Sequence, residues 1–183
     1  LSFLLVFRLN WSYTHWWEAR GAFGEYNSKL KDLIIMMASR EMSVADKGSA
    51  GSCLDKATCI IKVHSAALAD ELCHGPLPHD FAQHGTLFIT EKQITRVSWF
   101  RENLTEAEFE AFGDSQRIQK YLATPYRVLL CHKWLTCCVD EAIRTGLLKD
   151  YEVLIAQQHL AKTLELYYTM VKVKMTAMPS ANH

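Results

Sequence analysis

The sequence has no surplus of charge of either sign: twenty Lys and Arg balance twenty Asp and Glu in 183 residues. A polyanion-binding surface shows itself as a basic excess, so nucleic acid is excluded as the expected partner. There is no run of the roughly 18 to 20 apolar residues that a complete membrane span requires. No Gly-rich phosphate loop, HExxH or GxSxG occurs, and no carboxylate pair is placed for acid–base work, so the chain does not read as an enzyme. There is no internal repeat and no low-complexity segment. The six cysteines form no CxxC pair, and adjacent Cys137 and Cys138 on one predicted helix suit no disulfide framework. Cys53, Cys59, Cys73, Cys131, Cys137 and Cys138 are therefore expected as reduced thiols, mostly in the core.

What is there supports one full hydrophobic core. Apolar residues make up 49% of the chain and charged ones 22%, which places it among folded rather than disordered sequences. Leu1 to about Gly24 lacks a helix breaker, and Phe3, Phe7, Asn10, Thr14 and Trp17 recur at helical spacing on one face. The opening LSFLLVF is wholly apolar; Arg8 and Asn10 then bring polarity, and Trp11, Tyr13, Trp16 and Trp17 crowd the next turns. That order is how a membrane helix looks as it leaves hydrocarbon and crosses the interface. The same pattern also describes an aromatic-rich core helix of a soluble domain. No basic stretch precedes the apolar opening, so it is not a signal peptide, and the expectation is a segment of a longer chain.

Further helices are expected over Ser28–Ser39, from Ser52 to the Gly75-Pro76 stop, from Thr105 with Glu108 as capping-box partner, from Pro125 to a glycine cap at Gly146, and from Asp150 to about Ala177. Residues 42–52 read as a loop. Residues 79–100 are rich in β-branched and aromatic side chains and are expected as irregular or short helical structure. The fold class is all-α. Cys73, His74, His79 and His84 gather four potential metal ligands within twelve residues, but their spacing matches no common zinc module and solvated loop histidines are the plainer reading. The triplets Asn10-Trp11-Ser12 and Asn103-Leu104-Thr105 read as coincidental glycosylation signals.

The segment FRLNWSYTHWWEARGAFG, Phe7 to Gly24, resembles the signature at the inner end of the second membrane helix in bestrophins and their bacterial and plastid relatives. Phe7, Arg8, Asn10, Ser12, Tyr13, Trp16, Trp17, Glu18, Ala19 and Arg20 fit that pattern, while His15 stands where the family usually has arginine and Trp11 where smaller residues are common. The stretch Gly146 to Pro179 is similar to the family's long helix before the third membrane helix. There Thr176, Met178 and Pro179 fit its closing Thr-Pro-Ile-Pro element and Ala177 replaces the first proline.

The resemblance implies a homopentameric anion channel in which residues 1–24 form the inner end of the second membrane helix and residues 25–183 a cytosolic helical domain. The first, third and fourth membrane helices would lie outside this sequence. Phe3 and Phe7 would be two of three hydrophobic positions of the pore neck, with Asn10 and Thr14 offering amide and hydroxyl donors to the passing anion. Arg8, Glu18 and Arg20 invite both an anion-attracting ring and Arg–Glu pairing between helices. Tyr13 and the tryptophans would anchor the helix at the interface or pack subunits. The resemblance implies chloride as permeant ion, with bicarbonate second, membrane lipid as partner, and the plasma or thylakoid membrane as location. It implies no cofactor within this sequence, and the calcium-binding elements of gated animal members would lie outside it. A soluble helical interaction domain is the rival reading, which leaves the Phe7–Arg20 run unaccounted for.

Overall fold

A computed structural model describes residues 2–43, 51–74, 102–105, 120, 121, 123, 124 and 126–176. Among these residues are four long helices: α1 Ser2–Ser43, α2 Gly51–His74, α3 Arg127–Arg144 and α4 Asp150–Met175. The all-α expectation holds, with no strand among the described residues. The expected helix after Thr105, its partner Glu108, residues 79–100, Pro125, Pro179, His79 and His84 lie outside the described residues, as do the side chains of Cys73 and His74.

The two helices expected over residues 1–24 and 28–39 are one. α1 runs 42 residues without a break, or about 63 Å at 1.5 Å per residue. Gly21 and Gly24 each weaken a helix by about 1 kcal/mol relative to alanine, but neither demands a turn. Tyr26, Leu30, Leu33 and Met37 bury themselves on the next turns, and Asn27 Nδ2 donates to the Phe23 carbonyl at 2.9 Å, bracing the helix where a break was expected.

The ion pairs show how the helices run relative to one another. Arg40, near the end of α1, meets Glu152 in the first turn of α4 at 2.5 Å, so these two run antiparallel. Lys56 near the start of α2 meets Glu141 near the end of α3 at 3.2 Å, and Asp70 meets Arg127 at 3.3 Å, so α2 and α3 are antiparallel as well. Glu71 accepts a hydrogen bond from Tyr167 at 2.7 Å, which brings the late turns of α2 and α4 together. The result is an up-down-up-down bundle in which α1 packs chiefly on α4 and α2 chiefly on α3. Four cysteines, Cys53, Cys59, Cys131 and Cys138, are free thiols buried in the core, and Cys137 is exposed.

α3 ends as its glycine predicts. Gly146 has φ +72°, its N–H donates to the Ile143 carbonyl at 3.0 Å, and the Leu147 N–H reaches the Ala142 carbonyl at 2.9 Å. These two bonds are a Schellman motif, and the left-handed residue they require is cheapest as glycine. α3 begins at Arg127, two residues past the expected start, and α4 closes at Met175 with Thr176 as its cap.

Candidate functional site

α1 outreaches its bundle. Glu152 and Met175 are 23 residues apart, and counting 23 back from Arg40 arrives at Trp17, so the turns before Trp17 pass beyond the end of α4. Over that stretch Phe3, Leu4, Leu5, Val6, Phe7 and Leu9 are 53–79% exposed. A helix apolar all round and bare of neighbours is unstable in water and marks a surface that something else must cover. Phe3, Val6, Phe7, Leu9, Asn10 and Tyr13 line a shallow groove along it.

The orientation of this helix follows from its buried residues. Ala22, Tyr26, Leu30, Leu33 and Met37 face the bundle; at 100° per residue Phe3, Phe7, Asn10, Thr14 and Trp17 fall on the opposite half. All five are exposed. The Thr14 hydroxyl donates to the Asn10 carbonyl at 2.9 Å, so its proton is already engaged within the helix. The Asn10 side chain is exposed.

Next comes an aromatic collar. Tyr13 lies 6.0 Å from Trp16 and 6.2 Å from Trp17, centroid to centroid, and the tryptophans are 6.0 Å apart. The Arg20 guanidinium sits over Trp16 at 5.2 Å and Trp17 at 5.8 Å, a cation–π arrangement. Among the described residues Glu18 and Arg20 make no ion pair with each other. Trp11 and His15 stack at 3.9 Å, so the two residues that depart from the resembled signature pack against each other.

A model of the family described as Bacterial/Fungal Bestrophin protein matches residues 1–183, the whole chain. The chain belongs to the bestrophin family. No curated protein and no solved structure matches it. Bestrophins are anion channels, and membership points to ion transport at a membrane. Among the described residues of this bestrophin, no helix is long and apolar enough to cross a membrane.

The sequence left one buried group of this bestrophin unremarked. The Tyr26 hydroxyl lies 2.9 Å from Nδ1 and 3.0 Å from Nε2 of His64, whose ring is 6.0 Å from that of His132. Burial, reinforced by the neighbouring His132, pushes the His64 ring down to about 3, against the pull of a hydrogen bond to the Val128 backbone. His64 is thus neutral and joins α1, α2 and α3. Burial likewise raises Tyr26 and Cys131 well above their ordinary values. Periodicity marks such positions only as core; a tyrosine and two histidines on buried faces were the available signal. No group of three or more metal-ligating side chains occurs among the described residues.

Proposed function

We propose that this chain is a subunit of a pentameric anion channel, with chloride as the permeant ion and bicarbonate as a second candidate, and that Phe3 and Phe7 line its neck. In this reading residues 1–24 are the inner end of the second membrane helix and residues 25–183 the cytosolic body. One observation carries it: the phenylalanine face of α1 is exposed and points away from the bundle, on turns that extend past it.

The physical chemistry suits the task. Phe3 and Phe7 are one turn apart on one face, so copies arranged around an axis stack two rings of phenyl groups. A narrow apolar ring shuts a pore by dewetting, and a small side-chain rotation reopens it. Ring edges carry partial positive charge and tolerate an anion better than a cation. The exposed Asn10 amide follows on the same half of the helix and donates to an anion leaving the neck. The leucines and Val6 around the helix meet lipid or neighbouring helices, and Tyr13, Trp16, Trp17 and Arg20 sit at the level of the interface.

The test is anion current from the full-length protein in planar bilayers, comparing wild type with Phe3→Ala, Phe7→Ala under a chloride gradient. A chloride-selective current whose closed state leaks in the variant supports channel and neck together. Assembled protein that passes no current would return the soluble interaction domain to first place.

A further inference from the structure

The exposed line on α1 does not stop at the aromatic collar. Between Tyr26 and Arg40, where the helix is packed into the bundle, only Ser28, Lys31, Ile35 and Ser39 are exposed. They recur every three or four residues and trace one narrow stripe. Stepping back at the same spacing leads through Gly24 and Gly21 to Trp17, Thr14, Asn10 and Phe7. A Cβ built at Gly21 or Gly24 would meet nothing within 4 Å, so the face is open there too. Because α1 is one unbroken helix, this stripe and the two phenylalanines fall on the half of it opposite the buried Tyr26, Leu30 and Leu33, the line drifting round the helix by about 20° every seven residues.

Lys31 is the one charged residue exposed between Tyr26 and Arg40. Lys29 and Asp32 beside it are half-buried and lie near enough to His159 of α4 to act on its ring. Among the described residues no carboxylate pairs with Lys31, whereas Arg40, Lys56, Arg127 and Lys162 all have one. Lys31 lies 24 residues beyond Phe7, or about 36 Å along the helix axis.

We propose that Lys31 is an anion-binding position on the inner stretch of the permeation path, taking a small hydrated inorganic anion after it clears the phenylalanine neck. This rests on the reading of α1 as the pathway helix. The chemistry fits transit rather than capture. A lysine ammonium is a compact, strongly hydrated point charge on a flexible stem, and in open water it raises the local anion concentration without stripping the ion's shell. Since the chain has no net charge, attraction of an anion to this stretch has to come from locally placed cations, and copies around an axis would bring several Lys31 side chains to one level.

The experiment measures single-channel chloride conductance of the full-length protein in planar bilayers for wild type, Lys31→Arg, Lys31→Gln and Lys31→Glu, at low and high chloride. Lys133→Glu, on the exposed side of α3, serves as the surface-charge control. Expected is a conductance near wild type for Lys31→Arg and Lys133→Glu, a fall of about twofold for Lys31→Gln and a larger one for Lys31→Glu, each shrinking at high salt as screening takes over. Equal conductance across the Lys31 series, with the Phe3→Ala, Phe7→Ala variant still leaky, overturns the inference alone. Loss of both effects overturns the channel reading beneath it.

Discussion

Tyr26 and His64 show how a pair of side chains holds the bundle to the helix that leaves it. The phenol and the imidazole are both buried, so each is the other's substitute for water. Removing one partner strands the other: Tyr26→Phe should cost about 1–3 kcal/mol, read as a lower midpoint in denaturant unfolding of the detergent-solubilised protein. Replacing both, as Tyr26→Phe with His64→Leu, should cost less than the single change, because no buried polar group is left unpaired. A double variant weaker than the single one by the full sum would show that packing, and not this hydrogen bond, is what the pair provides.

His64 also ties stability to pH. Its folded-state value of about 3 lies below the ordinary 6.5, so the unfolded chain binds more protons than the folded one between those limits. Stability is therefore whole above pH 6.5 and falls as the pH drops toward 3, by about 1.4 kcal/mol per pH unit for one such group. His132 and His159, both lowered chiefly by burial, act in the same direction. Glu152 adds a further loss only at lower pH, below its ordinary 4.5: burial works to raise it, but the Lys149 N–H and the Arg40 guanidinium outweigh that and hold it below the usual carboxylate range. Unfolding midpoints at pH 7 and pH 5 check this. The wild type should lose stability between them, and the Tyr26→Phe, His64→Leu double variant should lose distinctly less.

At the scale of elements, the connection between α3 and α4 rests on Gly146. Its positive φ is a conformation that side chains resist, while the space around it is open. Gly146→Ala should therefore destabilise by about 1 kcal/mol through the backbone alone, and Gly146→Asn, which tolerates the left-handed region, by less. Thermal unfolding of the three proteins ranks them; an alanine variant as stable as wild type would mean that this turn is free to adopt another geometry. The glycine stop of α3 and the start and end of α4 were legible in the sequence because caps are local signals. The unity of α1 was not. The periodic stretches to about Gly24 and from Ser28 read as two helices, and the contrary information lies in tertiary contacts of Tyr26 and Leu30 that no local pattern reveals.

At the scale of the molecule, the apolar opening, the collar and the phenylalanine spacing were all readable before any coordinates, because order along one helix is order in space. Which side of that helix the bundle occupies was not readable. It depends on α2 and α4, and it turns a face of Phe3, Phe7, Asn10 and Thr14 into one that extends to Lys31 and Ile35. The pairing of helices was similarly out of reach, since Arg40 and Glu152 are 112 residues apart. The exposed apolar end carries its own expectation: the purified protein should need detergent or lipid to stay dispersed, and sedimentation after detergent removal should find it in the pellet or in vesicles. Monodisperse protein in plain buffer would mean that the opening turns are covered by the protein itself.

Because α1 is continuous from the bundle to the phenylalanines, it is a lever with its fulcrum at Tyr26. Phe3 stands 23 residues from that point, about 35 Å along the axis. A tilt of about 3° there, smaller than the scatter among ordinary helix packings, carries the phenyl ring sideways by about 2 Å. In the channel reading proposed above, rearrangements in the helical body therefore need only be slight to be felt at the far end of the rod.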